Sequence, residues 1–311
     1  MNTQFGYCCI NLELSDKGIT TNRTMREATF NERGIAYASE LAYKNTLDLI
    51  QIMLWNQRNN IKVFRLSSDL FPWNSKYKLE DLPDFAEISY NLRFAGDIAK
   101  RAGIRVTAHP DHFVKLGSDK QNVVDNSIHD LHHHNEVFEL MGFPANHYHC
   151  LNIHVGMNFS QKVIDNFITN FYRLNDNTKK RLVVENDDKA SAFSVNQLFK
   201  HIFSYIHTPI TFDYFHHSFH QDNLSESLAF HLSYATWGET KPLFHYSESK
   251  ALHESISCNA RAHSDYATSI MNTYEMPLDI DLELKSKEKA LFAYQKMYEE
   301  SLTKLSDSAT L

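Results

Sequence analysis

The chain has little cysteine, and what it has is not arranged for metal or disulfide chemistry. Cys8, Cys9, Cys150 and Cys258 are the four in 311 residues, and no two form a C-x-x-C pair. Buried thiols in a reducing compartment are the reading that spacing supports. Long apolar runs are also missing, with nothing approaching the ~20 residues that cross a bilayer. The opening MNTQFGYCCINLE has no basic start, and its apolar stretch is too short for export. A cytoplasmic protein without a membrane partner is therefore expected. No stretch rich in Pro, Gly or Ser divides the chain, and no repeat is visible, so one domain over 1–311 is expected, with a core of about 5–305. Neither G-x-S-x-G nor a P-loop occurs, which removes two common routes to hydrolysis. Positive charge is not in excess: 31 Lys and Arg face 38 Asp and Glu, for a net charge of −7. That balance disfavours a nucleic-acid binder held by Lys and Arg alone. Three bound divalent cations would bring the total to about −1 where a phosphate must sit.

Histidines and carboxylates at the ends of short apolar runs are abundant. VTAH ends at His109, CLNIH at His154, LVVE at Glu185, LFH at His245 and LDIDLE at Glu283, while TFDYFH carries Asp213 and His216. Such runs read as strands, expected at 5–10, 61–66, 104–108, 149–153, 181–184, 210–212, 243–246 and 278–282. Between several of them, apolar residues recur at helical spacing, over 31–57, 85–102, 122–141 and 287–305. Asn31 is a candidate N-cap, and Gly103 and Gly142 are candidate stops. Eight strands alternating with helices predict an α/β fold, a (β/α)8 TIM barrel. In that fold all strand C-termini meet on one face, so polar end-residues converge there. Carboxylates bridging ions and neutral imidazoles capping them suit divalent metals. Paired ions can activate water and steady both oxygens of a phosphodiester displacement.

Several strings, in order, resemble the UV damage endonucleases: GYCCIN near the start, FRLSSDLFPW at 64–73, HPDHF at 109–113 and NIHVG at 152–156. VENDD at 184–188, DYFHH at 213–217, FHYSES and RAHSDY at 261–266 continue the series. The resemblance runs from Tyr7 to about Leu291. It implies an endonuclease IV-like TIM barrel with two or three divalent ions. The activity it implies is nicking of damaged double-stranded DNA immediately 5′ of ultraviolet photoproducts and other distorting lesions, by metal-activated hydroxide. Mn is the expected ion, with Zn, Co or Fe as alternatives, and a monomer acting on the nucleoid is expected.

Position by position, the resemblance makes Glu185 the carboxylate shared by two ions. It puts His109 and His154 on one ion, Asp213, His245 and Glu283 on the second, and His216 and His263 on a third. Glu185, His216 and His263 are then the residues nearest the chemistry. Tyr7 and Asn11 fall where the family meets the lesion. His112 and Phe113 stand where it has a Gln-Tyr pair that probes the duplex. Three positions depart from the pattern: Asp111 replaces a frequent glycine, Lys76 a histidine near the metals, and Leu243 a lysine. Lys76 is then either a lost ligand or a phosphate contact. Arg23, Arg26, Lys115 and Lys120 are further candidates for the phosphate path, and His217 and His220 for backbone contacts from a loop. His129, His132, His133 and His134 are read as a solvated helix face with one or two partly buried rings. The rival readings are an apurinic-site endonuclease, a sugar isomerase or epimerase on a similar barrel, and a lesion-binding protein without catalysis.

Overall fold

Period-two alternation decides where each strand residue points, and here it sorts apolar residues outward and polar ones inward. The structure is a computed structural model that describes residues 3–253 and 257–308, those from 304 onward as backbone only. Among the described residues, eight parallel strands form one sheet: β1 (Gln4–Cys8), β2 (Val63–Leu66), β3 (Arg105–Ala108) and β4 (Leu151–Ile153), then β5 (Leu182–Glu185), β6 (Ile210–Thr211), β7 (Leu243–Tyr246) and β8 (Asp279–Leu282). β1 to β6 are neighbours in sequence order, and β8 and β7 continue from the other side of β1. The ring closes through one parallel bridge, Asp213 to His245, with His245 N–H donating to Phe212 O at 3.0 Å. This is a TIM barrel.

Phe64, Val106, Phe244 and Ile280 lie fully buried beneath the helices, whereas Arg105, Thr107, Asp279 and Asp281 fill the interior. Arg105 donates to Asp279 at 3.0 Å, with Lys241 on the same carboxylate, and Thr107 donates to Asp281 at 3.2 Å. Ion pairs therefore plug the floor, and the next inward residues up β3 and β8 are His109 and Glu283.

The helix Glu27–Arg58 begins four residues before the expected N-cap Asn31, with Gly34 (φ 66°, ψ −163°) supplying a break that side chains resist. Phe85–Ala102 ends at Gly103 in the left-handed conformation, φ 65°. Over the C-terminal face, the segment between β2 and Phe85 winds through three short 3-10 turns. Tyr77 donates to Pro72 O at 2.6 Å, Trp73 to Met25 O at 2.9 Å and Asn74 to Asp130 at 3.0 Å, which fastens it. After β6 the chain forms a helix over Tyr214–Phe219, where a loop carrying His217 and His220 is expected, and then a second helix, Glu226–Ala235. Among the described residues, no helix is long and apolar enough to cross a membrane.

Candidate metal centre

The C-terminal ends of β3, β4, β5, β7 and β8 bring His109, His154, Glu185, His245 and Glu283 together, and the turn after β6 adds Asp213 and His216. Among the described residues, three sets have ligand atoms within 4.8 Å of one another: His109, His154 and Glu185; Glu185, Asp213 and His216; Asp213, His245 and Glu283. Glu185 is central. Its Oε2 lies 3.1 Å from His109 Nε2 and 3.3 Å from His245 Nδ1, and its Oε1 lies 3.2 Å from His216 Nδ1. Asn152 Nδ2 donates to the same Oε2 from β4.

The His109 and His245 contacts fit a divalent cation, while His216 donates its Nδ1–H to Asn186 O at 2.9 Å and keeps Nε2 as its free ligand atom. Ligands at about 2.0–2.2 Å from one ion are separated from each other by about 3.0–3.4 Å, the spacing seen here. His109 Nδ1 donates to Pro110 O at 3.0 Å, so a neutral ring turns the Nε2 lone pair toward the Glu185 carboxylate. Two acceptors face one another across that gap, and a proton or a cation must lie between them. Buried polar atoms without a hydrogen bond cluster in the same place: His154 Nδ1, Asp213 Oδ2, both ring nitrogens of His245 and His263 Nδ1. Orphans of this kind are costly unless something absent from the protein chain satisfies them.

Charge balance carries the same information. Burial would raise the Glu185 pKa, yet the surrounding His245, His154, His109 and His216 hold it well below the carboxylate range. Burial pushes Asp213 up to about 7, with Glu185 and Glu283 adding to the rise and His216 opposing it. His245 is raised to about 9, because Glu185 and Glu283 outweigh its burial, whereas burial takes His154 down to about 4. Glu283 lies low despite burial, held there first by Arg65, which donates to its Oε1.

The mouth is a cleft of ≈ 330 Å³ bordered by His109, His154, His216, His263, Lys115 and Arg261. His263 stands at this rim, outside the three sets, with Nε2 3.8 Å from Glu283 Oε2. Arg261 pairs with Asp188 at 2.9 Å. Phe113 and His112 project from the β3 loop, and His112 Nδ1 pairs with Asp111 at 2.6 Å. Lys76 is exposed on the turn Asn74–Lys76.

Several expectations are corrected. Tyr7 is fully buried, because Gly6 and Cys8 take the inward positions of β1 and turn Tyr7 against Trp55 and Phe64. Its hydroxyl donates to Asn56 at 2.8 Å and accepts from Asn11 Nδ2 at 3.0 Å. Asn11 is likewise occupied, since its Oδ1 caps the turn Leu12–Ser15 through Leu14 N–H. Neither can touch DNA in this conformation. His217 and His220 are buried, the former on a helix under Phe212, and so are not loop contacts. Of the four histidines on the helix Gln121–Leu140, His133 and His134 are the buried rings, His134 paired with Asp130 at 3.0 Å, and His129 and His132 are half-buried rather than solvated. Arg23 is engaged with Asp48 at 2.6 Å.

Arg65 and Asn152, which hold Glu283 and Glu185, were absent from the candidates. Both carry a visible signal: Arg65 is a lone charge inside the apolar strand FRL, and Asn152 shares its strand face with His154.

Comparison with known proteins gives the same picture over nearly the whole chain. The family described as UV-endonuclease UvdE matches residues 3–310. A UV-damage endonuclease of Schizosaccharomyces pombe is 32% identical over 95% of this chain, which spans about half (51%) of that protein's length. The crystal structure of SacUVDE superposes with a TM-score of 0.81 at 30% identity, covering 96% of this chain and 99% of that one. Endonuclease IV from Thermus thermophilus shares the fold alone, at 13% identity and a TM-score of 0.55, over 96% of this chain and 99% of that one. Motif order, barrel and the cluster of candidate ligands converge, and the chain belongs to the UV-endonuclease UvdE family.

Proposed function

We propose that the protein is a metal-dependent DNA-repair endonuclease that nicks damaged duplex 5′ of ultraviolet photoproducts and other distorting lesions. The observation that carries this reading is Glu185, whose two oxygens face three imidazoles at 3.1–3.3 Å on the open face of the barrel. His109, His154 and Glu185 would hold one ion, and Asp213, His245 and Glu283 another. His216 and His263 border the cleft on the side where a third would sit. Bound divalent ions supply acidity to water at neutral pH and positive charge to the phosphate oxygens.

The chain's own residues then position and steady the substrate. Asn152 fixes the Glu185 carboxylate, Arg65 fixes Glu283, and Asp213 is aimed by its capping bond to His216 N–H at 2.7 Å. Arg261, Lys115 and the exposed Lys76 offer cations to backbone phosphates. Phe113 offers an exposed ring to bases that a lesion has already unstacked. Damage is thus read through deformability, not sequence.

The test is nicking of end-labelled duplexes with Mn²⁺, one carrying a single pyrimidine dimer, one an abasic site, one undamaged. Cutting 5′ of the dimer, abolished by chelator, is expected. Cutting at the abasic site alone would assign the protein to apurinic-site repair. Binding without any cutting would leave a recognition protein and discard the catalytic reading.

A further inference from the structure

The loop after β4 carries an apolar side chain that none of the three ligand sets uses. Met157 stands three residues beyond His154 and is 54% exposed, as is Phe113 on the β3 loop. It borders the same cleft as His109, His154 and His216. Its backbone is well held: Met157 O accepts from Ser191 Oγ at 3.3 Å, and Phe159 N–H donates to Ser191 O at 2.6 Å. Phe159 in turn packs edge-on against Phe193, ring centroids 5.4 Å apart. Gly156 lies so close to the next helix that an added Cβ would meet Val163 Cγ1 at 3.0 Å. A braced loop that presents an exposed thioether is organised to insert it.

Lys115 connects the two exposed apolar groups. Its Nζ lies 3.2 Å from Met157 Sδ, and it shares the outer wall of the rim with Phe113. The rim therefore runs apolar, cationic, apolar beside the metal centre. A bent duplex offers the complementary series, two opened base steps with a phosphate between them.

We propose that Met157 is a second wedge, entering the base stack of damaged duplex on the far side of Lys115 from Phe113, with Lys115 on the intervening phosphate. The proposal rests on the reading of the site as a DNA endonuclease. Unstacking is costly, and least so where a lesion has weakened the stack, so two wedges discriminate damage more sharply than one. An unbranched, polarizable side chain suits lesions of varied shape.

The experiment compares Met157→Ala and Met157→Leu with the unaltered protein in nicking a duplex with one pyrimidine dimer. Met157→Ala is expected to raise KM about tenfold, the upper scale of one lost contact between a thioether and an aromatic base, with kcat nearly unchanged. Met157→Leu is expected to restore most of the loss. A 2-aminopurine beside the lesion reports unstacking directly, using protein carrying Glu185→Gln so that the duplex is held uncut. Its fluorescence should rise with Met157 present and rise less with alanine there. An unchanged KM and an unchanged fluorescence rise in Met157→Ala would overturn the wedge. So would a lower kcat at constant KM, which would make Met157 a support of the metal centre. If the unaltered protein neither nicks damaged duplex nor raises the fluorescence, the DNA reading itself falls.

Discussion

Glu185 has two oxygens facing His109, His216, His245 and the Asn152 amide. Its depressed pKa keeps it ionised across neutral pH, so it can serve as a ligand without first losing a proton. Glu185→Gln removes the negative charge at nearly constant volume, and a neutral amide bridges two cations poorly. Nicking is expected to be abolished in end-labelled duplex assays while binding to damaged DNA in gel shifts largely survives; activity within a few-fold of the original would refute the ligand assignment. Asn152 touches the carboxylate and would act on a bound ion only by orienting that ligand. Asn152→Ala is expected to weaken Mn²⁺ affinity about 10–100-fold, the usual loss when an outer partner of a ligand is removed. Calorimetric titration of Mn²⁺ into the metal-free variant checks this independently of catalysis. An affinity equal to the original would show that Glu185 orients itself.

At the scale of elements, β6 is the weak stave. It has two residues, and Asn186 at the end of β5 extends its pairing with side-chain bonds. Asn186 Oδ1 accepts from Asp213 N–H at 2.9 Å, its Nδ2 donates to Asp213 O at 3.0 Å, and its own carbonyl accepts from His216 Nδ1 at 2.9 Å. One buried amide therefore holds both the seam and two candidate metal ligands. Asn186→Ala strands the buried Asp213 N–H, at a cost of about 1–3 kcal/mol, whereas the Asp213 C=O keeps the His217 N–H at 3.1 Å. Urea unfolding of the metal-free protein should show a lower midpoint with an unchanged slope. An unaltered midpoint would mean that water or a strand shift replaces the amide.

This seam also shows what the sequence could reveal. Strands such as β7, expected at 243–246 and found there, are legible because their apolar residues alternate with a histidine destined for the cleft. The seven residues of the ligand sets are legible for the same reason, as strand-end polar residues on a converging face. Tyr7 was misplaced because a family likeness gives a position without a facing. The inward slots of β1 belong to Gly6 and Cys8, and the pattern GYCC is too apolar throughout to announce that. Asn186 and Arg65 were passed over because their partners are distant in sequence, and only the closed barrel brings them together.

For the whole molecule, the informative histidines are those away from the metals. His133 is buried against Phe71, ring centroids 4.9 Å apart, and its pKa falls to about 3, through burial first and the neighbouring His134 charge second, with Asp130 opposing. Burial takes His147 and His149 to about 4. A depressed histidine stays neutral in the fold while the unfolded chain takes up a proton near pH 6.5. Its stabilising contribution is therefore complete above pH 6.5 and is lost as pH falls toward the folded pKa. Asp213, raised to about 7, acts in the opposite sense over part of this range, because the folded state then holds the extra proton. The net pH profile thus mixes signs, and a difference between variants isolates one group. His133→Gln removes a single titration from the interior while keeping a neutral polar side chain. Relative to the original, its stability should improve as pH falls from 6.5 to 5, by up to about 1.4 kcal/mol per pH unit. Denaturant melts of both proteins in chelator, at pH 7.5, 6.5, 5.8 and 5, measure that difference with metal binding removed. Parallel curves would mean that His133 takes up its proton as readily in the fold as in the unfolded chain, its charge offset by Asp130 beside His134. The buried cluster beneath the 3-10 turns would then be a support for the rim that charges as pH falls and not a neutral one.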